Sequence, residues 1–454
     1  MVQMVPTRKK ERQFSMFDAD DLKIWSTGGW LNGQPLQCKG IVHDSREVKP
    51  GDLYLAIIGE THDGHRFCES AIQQGASGLI VSRPMEGLEI PQLVVKDTRR
   101  ALSELARRYR NSLTMSCIGI TGSVGKTSVK EMAADMLSQT SMTARNRGNW
   151  NNDIGLPLSL LNMDPDSRFG VFEIGMNHPG ELQPLCDILQ PDYGIMTEIG
   201  PVHLEYFDSV EAIAQEKATL VRAIPRNGFM VLDPDTPWYD LCKAEASCQV
   251  LNVSMQGNGD LNGTVVDGDL VIAGEVYRMP LPGMHIKQNA LKCIALALQL
   301  GVHPDQIRDA LNAFEAPSMR WERSEIDGIT FINDAYNANP VSMRASVDTY
   351  IQEPATGTRW LILGGMAELG VIEQEAHRAI GKFFKGLEAV GAQLIVVGEL
   401  AKPLWEEAGG TWCESPAEAA ALLKEQAEVG DRVLLKASRG IGLEKVLHHF
   451  ANCD

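Results

Sequence analysis

The 454-residue chain is short of positive charge, with 42 Lys and Arg against 59 Asp and Glu and a formal net charge of −17. A nucleic acid or an anionic membrane surface needs a basic face, so neither is the expected partner, and anionic small ligands must be held by local sites. No C-x-x-C pair occurs among the nine cysteines scattered from Cys38 to Cys453. An odd count without regular spacing fits a reduced chain with buried thiols, hence a cytoplasmic protein. Met1 to Arg12 carries Arg8, Lys9, Lys10 and Arg12 with no long apolar run behind them. Neither a secretory signal nor a membrane anchor is expected, and the segment reads as a frayed basic tail. Internal repeats and low-complexity segments are also absent.

A composition of 44% hydrophobic and 22% charged residues is that of a globular protein. The length exceeds what one core organises, so two or three domains are expected. From Ile41 to Tyr109, strand-like runs (Leu53 to Ile58, Leu79 to Val81, Leu93 to Val95) alternate with helical spacing such as Ala101, Leu102, Leu105, Ala106 and Tyr109. This is a small α/β unit, closed by a polar break at Asn111 to Thr114. Cys117 to Ile120 then reads as a buried strand, followed by a glycine-rich turn and a helix with Val129, Met132, Ala133, Met136 and Leu137 on one face. Asp267-Gly268 between apolar β-formers predicts a hairpin, and Gln288 to Leu300 a helix. Beyond Pro317, strands at Ile329 to Ile332, Trp360 to Leu363, Leu394 to Val397 and Val433 to Leu435 predict a third, mostly parallel sheet. The expected α/β architecture is therefore a small N-terminal domain (1–113), a central phosphate-loop domain with a parallel sheet (114–316) and a C-terminal Rossmann-like domain (317–454).

Thr121-Gly122-Ser123-Val124-Gly125-Lys126-Thr127 lies between the predicted strand and helix. Glycines there let the backbone approach a phosphate chain at a helix N-terminus. Lys126 would neutralise the β- and γ-phosphates, and the Thr127 hydroxyl would bind Mg²⁺. The strict pattern G-x-x-x-x-G-K-[ST] fails at its first glycine, where Ile120 stands. A phosphate loop alone leaves kinase, motor, transporter and switch functions open.

Ile120 to Lys130 (ITGSVGKTSVK) resembles the nucleotide loop of the Mur ligase family, whose pattern does not require that glycine. Further blocks match in order: NWNNDIGLPLSLL from Asn149, Glu173 to Asn177, GPVHLE from Gly200, and Lys217 fourteen positions after His203. Gly283-Met284-His285 with Asn289, NDAYNANP from Asn333, MAELG from Met366, and Lys436 to Arg439 follow. Upstream, Asp44-Ser45-Arg46 and Gly59 to Phe67 resemble the UDP-sugar domain of the same enzymes.

The resemblance implies an ATP-dependent ligase of peptidoglycan synthesis that activates a carboxylate as an acyl phosphate for attack by an amine. Asp63 to Phe67 with the N-A-N-P and E-L-G blocks point to UDP-N-acetylmuramoyl-tripeptide and D-alanyl-D-alanine as substrates, handled by a monomer. It implies Lys126, Glu173, His203 and Lys217 as catalytic residues, with Thr127, Glu173, His203 and Lys217 toward Mg²⁺. Lys217 matches the lysine that the family converts to a CO₂-derived carbamate; only the neutral amine reacts, so its pKa must fall from about 10.4. Gly122, Ser123, Gly125, Lys126, Thr127, Asn289, Arg320, Asp334, Asn337 and Asn339 match nucleotide-holding positions, Asp334 toward the ribose and Arg320 toward phosphate. Asp44, Ser45, Arg46, His62, Asp63, Gly64, His65, Asn151, Asn152, Ser438 and Arg439 match the substrate side. Taken singly, many of these are ordinary cap, turn or surface residues. Glu198, Ile286 and Ala437 depart from the family pattern. Rival readings are another ligase of the superfamily, a folylpolyglutamate synthase, which the Asp44 to Phe67 region disfavours, and a nucleotide switch without an acceptor.

Overall fold

The computed structural model describes residues 16–59, 61–386 and 391–452. The basic tail to Arg12, Glu60 and Cys453 lie outside the described residues. Two compact units emerge: residues up to Met115 with 149–166 and 187–190, and the remainder of the chain.

The first unit is built on five strands, β1 (Gly29–Leu31), β2 (Ile41–Val42), β3 (Leu53–Leu55), β4 (Gly78–Val81) and β5 (Gln92–Val94), in the order β1-β5-β4-β3-β2. β2 to β5 run parallel and β1 antiparallel. The strand expected to reach Ile58 ends at Leu55, because the chain turns there into the loop preceding Asp63. The helix Thr98–Ser112 buries the predicted face, Ala101 through Tyr109, and runs into the expected polar break. It packs on the helix Gly155–Leu161, which sequence order alone would assign to the next sheet.

The second unit holds two sheets. β6 (Ser116–Thr121), β7 (Thr143–Arg145), β8 (Phe169–Glu173), β9 (Tyr193–Met196), β10 (Phe229–Leu232), β11 (Gln249–Ser254), β12 (Leu261–Val266), β13 (Asp269–Ile272) and β14 (Glu275–Tyr277) lie in the order β14-β13-β12-β11-β10-β9-β6-β8-β7. From β7 to β12 all pairs are parallel. β6 is covered on both faces, which is why Cys117, Ile118 and Ile120 form a continuous apolar run. The chain leaves β6 toward β7 and β8 on one side and returns to β9 on the other. Its carboxyl end is thus a topological switch point, where open parallel sheets bind ligands. The predicted hairpin forms with Val266 opposite Asp269, and Asp267 and Gly268 both take positive φ, as a tight two-residue turn requires. The helix expected from Gln288 starts earlier, at Met284.

The other sheet contains β15 (Glu322–Ile326), β16 (Ile329–Asn333), β17 (Arg359–Gly364), β18 (Ala392–Val397), β19 (Thr411–Cys413) and β20 (Arg432–Lys436), ordered β15-β16-β20-β17-β18-β19. All its pairs but β15–β16 are parallel. Separate apolar cores cover its two faces. β15 and β19 escape sequence reading because the first is nearly all exposed polar residues and the second is three residues long. No helix among the described residues is long and apolar enough to cross a membrane.

Candidate active site

β6 delivers the chain to Gly122 with φ 150°, where a β-carbon would fall 1.9 Å from Thr197 Oγ1. Only glycine fits. Ser123 N and Val124 N donate to Glu198 O at 2.6 and 3.2 Å, and Ser123 Oγ to Gly200 O at 3.0 Å, so the loop is pinned from behind. Gly125, at φ 88°, precedes the helix Lys126–Ser138 and supplies no side-chain cap. The first-turn N–H groups therefore keep their capacity for an anion. Asn289 packs on Gly125, its amide 2.7 Å from where a β-carbon would lie.

Beneath the loop two lysines share one acceptor: Lys126 Nζ and Lys217 Nζ each donate to Gly122 O at 2.9 Å. Lys217, on the helix Val210–Ala223, is 1% exposed. Burial, reinforced by Lys126 and only partly offset by Glu216 and Glu173, holds its ammonium well below the ordinary lysine pKa. Lys126 keeps some accessible surface in a dense surrounding, and is lowered by burial, with Glu173 opposing and Arg320 adding. Thr127 Oγ1 donates to Glu173 Oε2 at 2.7 Å and accepts from Arg320 Nη2 at 3.1 Å. Arg320 also lies over the Tyr336 ring, 4.2 Å from its centroid.

Glu173 ends β8 and is itself held. The Asn146 side chain accepts from Glu173 N and donates to Glu173 O, both at 3.0 Å. Lys130, fully buried, donates to Asn146 O at 2.7 Å and Gly148 O at 2.9 Å and pairs with Glu131 Oε1 at 2.8 Å. Sequence reasoning missed Lys130 and Asn146 as supports; no spacing signal marks a buried lysine that satisfies carbonyls. His203, at φ 54°, has Nδ1 2.6 Å from Glu368 Oε2, a close pair whose angles fall short of a hydrogen bond. His203 lowers the Glu368 carboxyl below its usual value. Among the described residues no three His, Cys, Asp or Glu side chains are placed to hold a metal. A cation here would need oxygen donors such as Thr127 with Glu173.

At the carboxyl ends of β16 and β20, Asp334 Oδ2 accepts from Lys436 Nζ at 2.7 Å and Ser346 Oγ at 2.5 Å, while Oδ1 accepts from Trp321 N at 3.2 Å. Lys436, passed over as a site residue, is thus the fixed partner of a nucleotide candidate. Burial pushes nearby His285 down to about 4, with Asp334 opposing and Lys436 and Lys287 adding. Asn339 caps the helix Pro340–Gln352 and Asn337 accepts from Ala338 N at 2.8 Å. Ser438 Oγ accepts from Ala367 N at 2.8 Å and donates to Ala338 O at 3.1 Å; Arg439 is exposed and pairs with Glu444.

The first unit gathers the remaining candidates. Asp44 pairs with Arg46 at 2.6 Å and is held down to about 2, chiefly by hydrogen bonds from Arg46. Ser45 between them is buried. Asp63 accepts from His65 Nδ1 at 2.6 Å and from Arg83 at 2.8 Å, and Arg83 first among these holds it below the usual carboxylate range. His65 is buried, and its Nε2 accepts from Ser82 N at 3.0 Å, so the proton sits on Nδ1. Gly64 has no room for a β-carbon, which would lie 2.7 Å from Ile57 N and O. His62 is exposed beside Thr61. Asn152 Oδ1 accepts from Gly155 N at 2.8 Å, at the start of the helix Gly155–Leu161, with Asn151 adjoining.

Three family models match in series: "Mur ligase family, catalytic domain" over residues 37–110, "Mur ligase middle domain" over 120–297 and "Mur ligase, glutamate ligase domain" over 319–439. The chain is 33% identical to the UDP-N-acetylmuramoyl-tripeptide--D-alanyl-D-alanine ligase of Synechocystis, covering 91% of this chain and 92% of that one. It is 34% identical to the Escherichia coli ligase of the same name, covering 79% and 81%. Among solved structures, MurF from Acinetobacter baumannii superimposes with a TM-score of 0.87 at 30% identity, covering 97% of this chain and 99% of that one. MurF from Thermotoga maritima in complex with ADP does so at 0.79 and 26%, covering 91% and 97%. With full-length relatives above 30% identity and all three sheets matched in order, the chain belongs to the Mur ligase family.

Proposed function

We propose that this protein is the ATP-dependent ligase that joins D-alanyl-D-alanine to UDP-N-acetylmuramoyl-tripeptide in peptidoglycan synthesis. The carrying observation is the desolvated floor of the phosphate loop, the lysines Lys126 and Lys217 on one carbonyl beside Thr127 and Glu173, in a chain whose full-length relatives bear that name. ATP transfers its terminal phosphoryl group to the tripeptide carboxylate, leaving ADP. The dipeptide amine then attacks the acyl carbon, the C–N bond forms, and inorganic phosphate and a proton leave. Lys126 and Arg320 draw the anionic phosphates and carboxylate together. Gly122, Ser123, Gly125 and Thr127 cradle the phosphates, and Asn289, Asp334, Asn337 and Asn339 hold the rest of the nucleotide.

Thr127 and Glu173 offer the oxygen donors that Mg²⁺ prefers, and the cation when bound would supply charge neutralisation between phosphates. Lys217 would join them as a carbamate: its neutral amine would add CO₂, release a proton and offer an oxygen donor. His203 is the candidate for a second cation. Asp44, Ser45, Arg46, His62, Asp63, Gly64, His65, Asn151 and Asn152 serve the UDP-muramoyl end, and Ser438 and Arg439 the peptide end. Domains at 1–113, 114–316 and 317–454 divide these tasks in a cytoplasmic monomer. ADP release should require all three substrates and fall at least about a hundredfold in Lys126→Ala. Turnover that ignores the dipeptide, or none at all, would reject this reading.

A further inference from the structure

The E-L-G block carries no role in the reaction above, yet it touches the site. Glu368 reaches His203 Nδ1 at 2.6 Å from the other sheet of the same unit, and Nδ1 has no hydrogen-bonding partner among the described residues. Both residues sit in the left-handed backbone region, His203 at φ 54° and Glu368 at φ 63°. Side chains adopt that region only when their surroundings hold them there, and such strain concentrates at functional sites. Two residues on, Gly370 (φ 56°) lies so close to the histidine loop that a β-carbon would meet Leu204 O at 2.6 Å and Glu205 N at 2.9 Å. The two loops are fitted to each other by charge and by backbone.

We infer that Glu368 is a positioning residue: by holding the proton on His203 Nδ1 it leaves Nε2 as the free lone pair, and so presents His203 as a cation ligand. A carboxylate oxygen 2.6 Å from a ring nitrogen would repel a lone pair there, so that nitrogen carries the hydrogen. Carboxylate partners of this kind orient ligating histidines and raise their basicity. The inference rests on His203 being a cation ligand, as proposed above.

The test is Mn²⁺ titration of the full-length, ADP-loaded protein by electron spin resonance, with nitrogen-15 NMR of the His203 ring. Glu368→Ala should weaken Mn²⁺ at one site about ten- to a hundredfold and mix the ring tautomers, leaving ADP affinity unchanged. Glu368→Gln, whose amide oxygen can face Nδ1–H in the carboxylate's place, should keep the wild-type tautomer. Gly370→Ala, which pushes the loops apart, should shift the tautomer as Glu368→Ala does, and covers the case in which that variant is unstable. Unaltered Mn²⁺ affinity and tautomer in both Glu368→Ala and Gly370→Ala would overturn the inference. His203→Ala separates the two levels. If it leaves Mn²⁺ binding intact, the ligand reading falls and the inference with it; if it abolishes a site that Glu368→Ala spares, the inference alone falls.

Discussion

Lys217 and Lys130 are both buried to 1% exposure or less on helices that flank one phosphate loop, and the fold treats them in opposite ways. Behind the loop, Lys130 meets two carbonyls and a carboxylate, which is a complete set for an ammonium. Beneath it, Lys217 meets one carbonyl, shared with a second lysine, and its charged form is disfavoured by burial and like charge. A buried lysine whose donors are satisfied is a brace. One left short of acceptors beside another cation is poised either to lose its proton or to meet an anion. The first unit shows a third arrangement, in which Asp44 and Asp63 are paired with Arg46 and Arg83 near solvent at little energetic cost.

The largest effect expected from this contrast is on turnover. Lys217→Met should abolish ligase activity, by at least about a hundredfold, while the melting temperature stays level or rises, because a poorly solvated amine gives way to an apolar chain of similar length. A melting temperature well below wild type would make Lys217 a brace like its neighbour. Lys130→Met should do the reverse to stability. It strands the carbonyls of Asn146 and Gly148 and should cost about 2–4 kcal/mol in urea unfolding, with the surviving folded protein weaker for Mg²⁺ because Asn146 no longer fixes Glu173. Equal stability of the two variants would erase the distinction. The smallest effect concerns His285, whose folded pKa of about 4 lies below the usual histidine value. Between about pH 6.5 and 4 the unfolded chain takes up the proton first, so stability falls as pH falls through that window. In His285→Gln that slope should flatten by about 1.4 kcal/mol per pH unit at most, measured as urea midpoints from pH 7 to 4. An unchanged slope would place the titration elsewhere.

Much of the fold was legible because buried parallel strands and amphipathic helices write their environment into local composition. β6, β16, β17, β18 and β20 and the helices after β5 and β6 appear in the sequence as apolar runs or one-sided faces. β15 and β19 do not, because an exposed edge strand or a three-residue strand has no such face. The phosphate loop was equally legible: Gly122 and Gly125 take conformations that only glycine accepts readily, and Lys126 and Thr127 follow at fixed spacing. The contacts that make those residues work were not. Arg320, named only through the family resemblance, reaches Thr127 from 193 positions away, and Asn146, not named at all, reaches Glu173 from 27.

By itself, then, the sequence determined the strand-turn-helix at the loop and the order of the family's blocks, since each depends on neighbours within a few residues. Only the tertiary structure decided that Lys217 shares a carbonyl with Lys126 while Lys130 does not, that Glu368 faces His203, and that the helix Gly155–Leu161 packs with the first unit. Those outcomes turn on which distant groups exclude water from a side chain, and desolvation belongs to an assembled environment, not to any local run of residues.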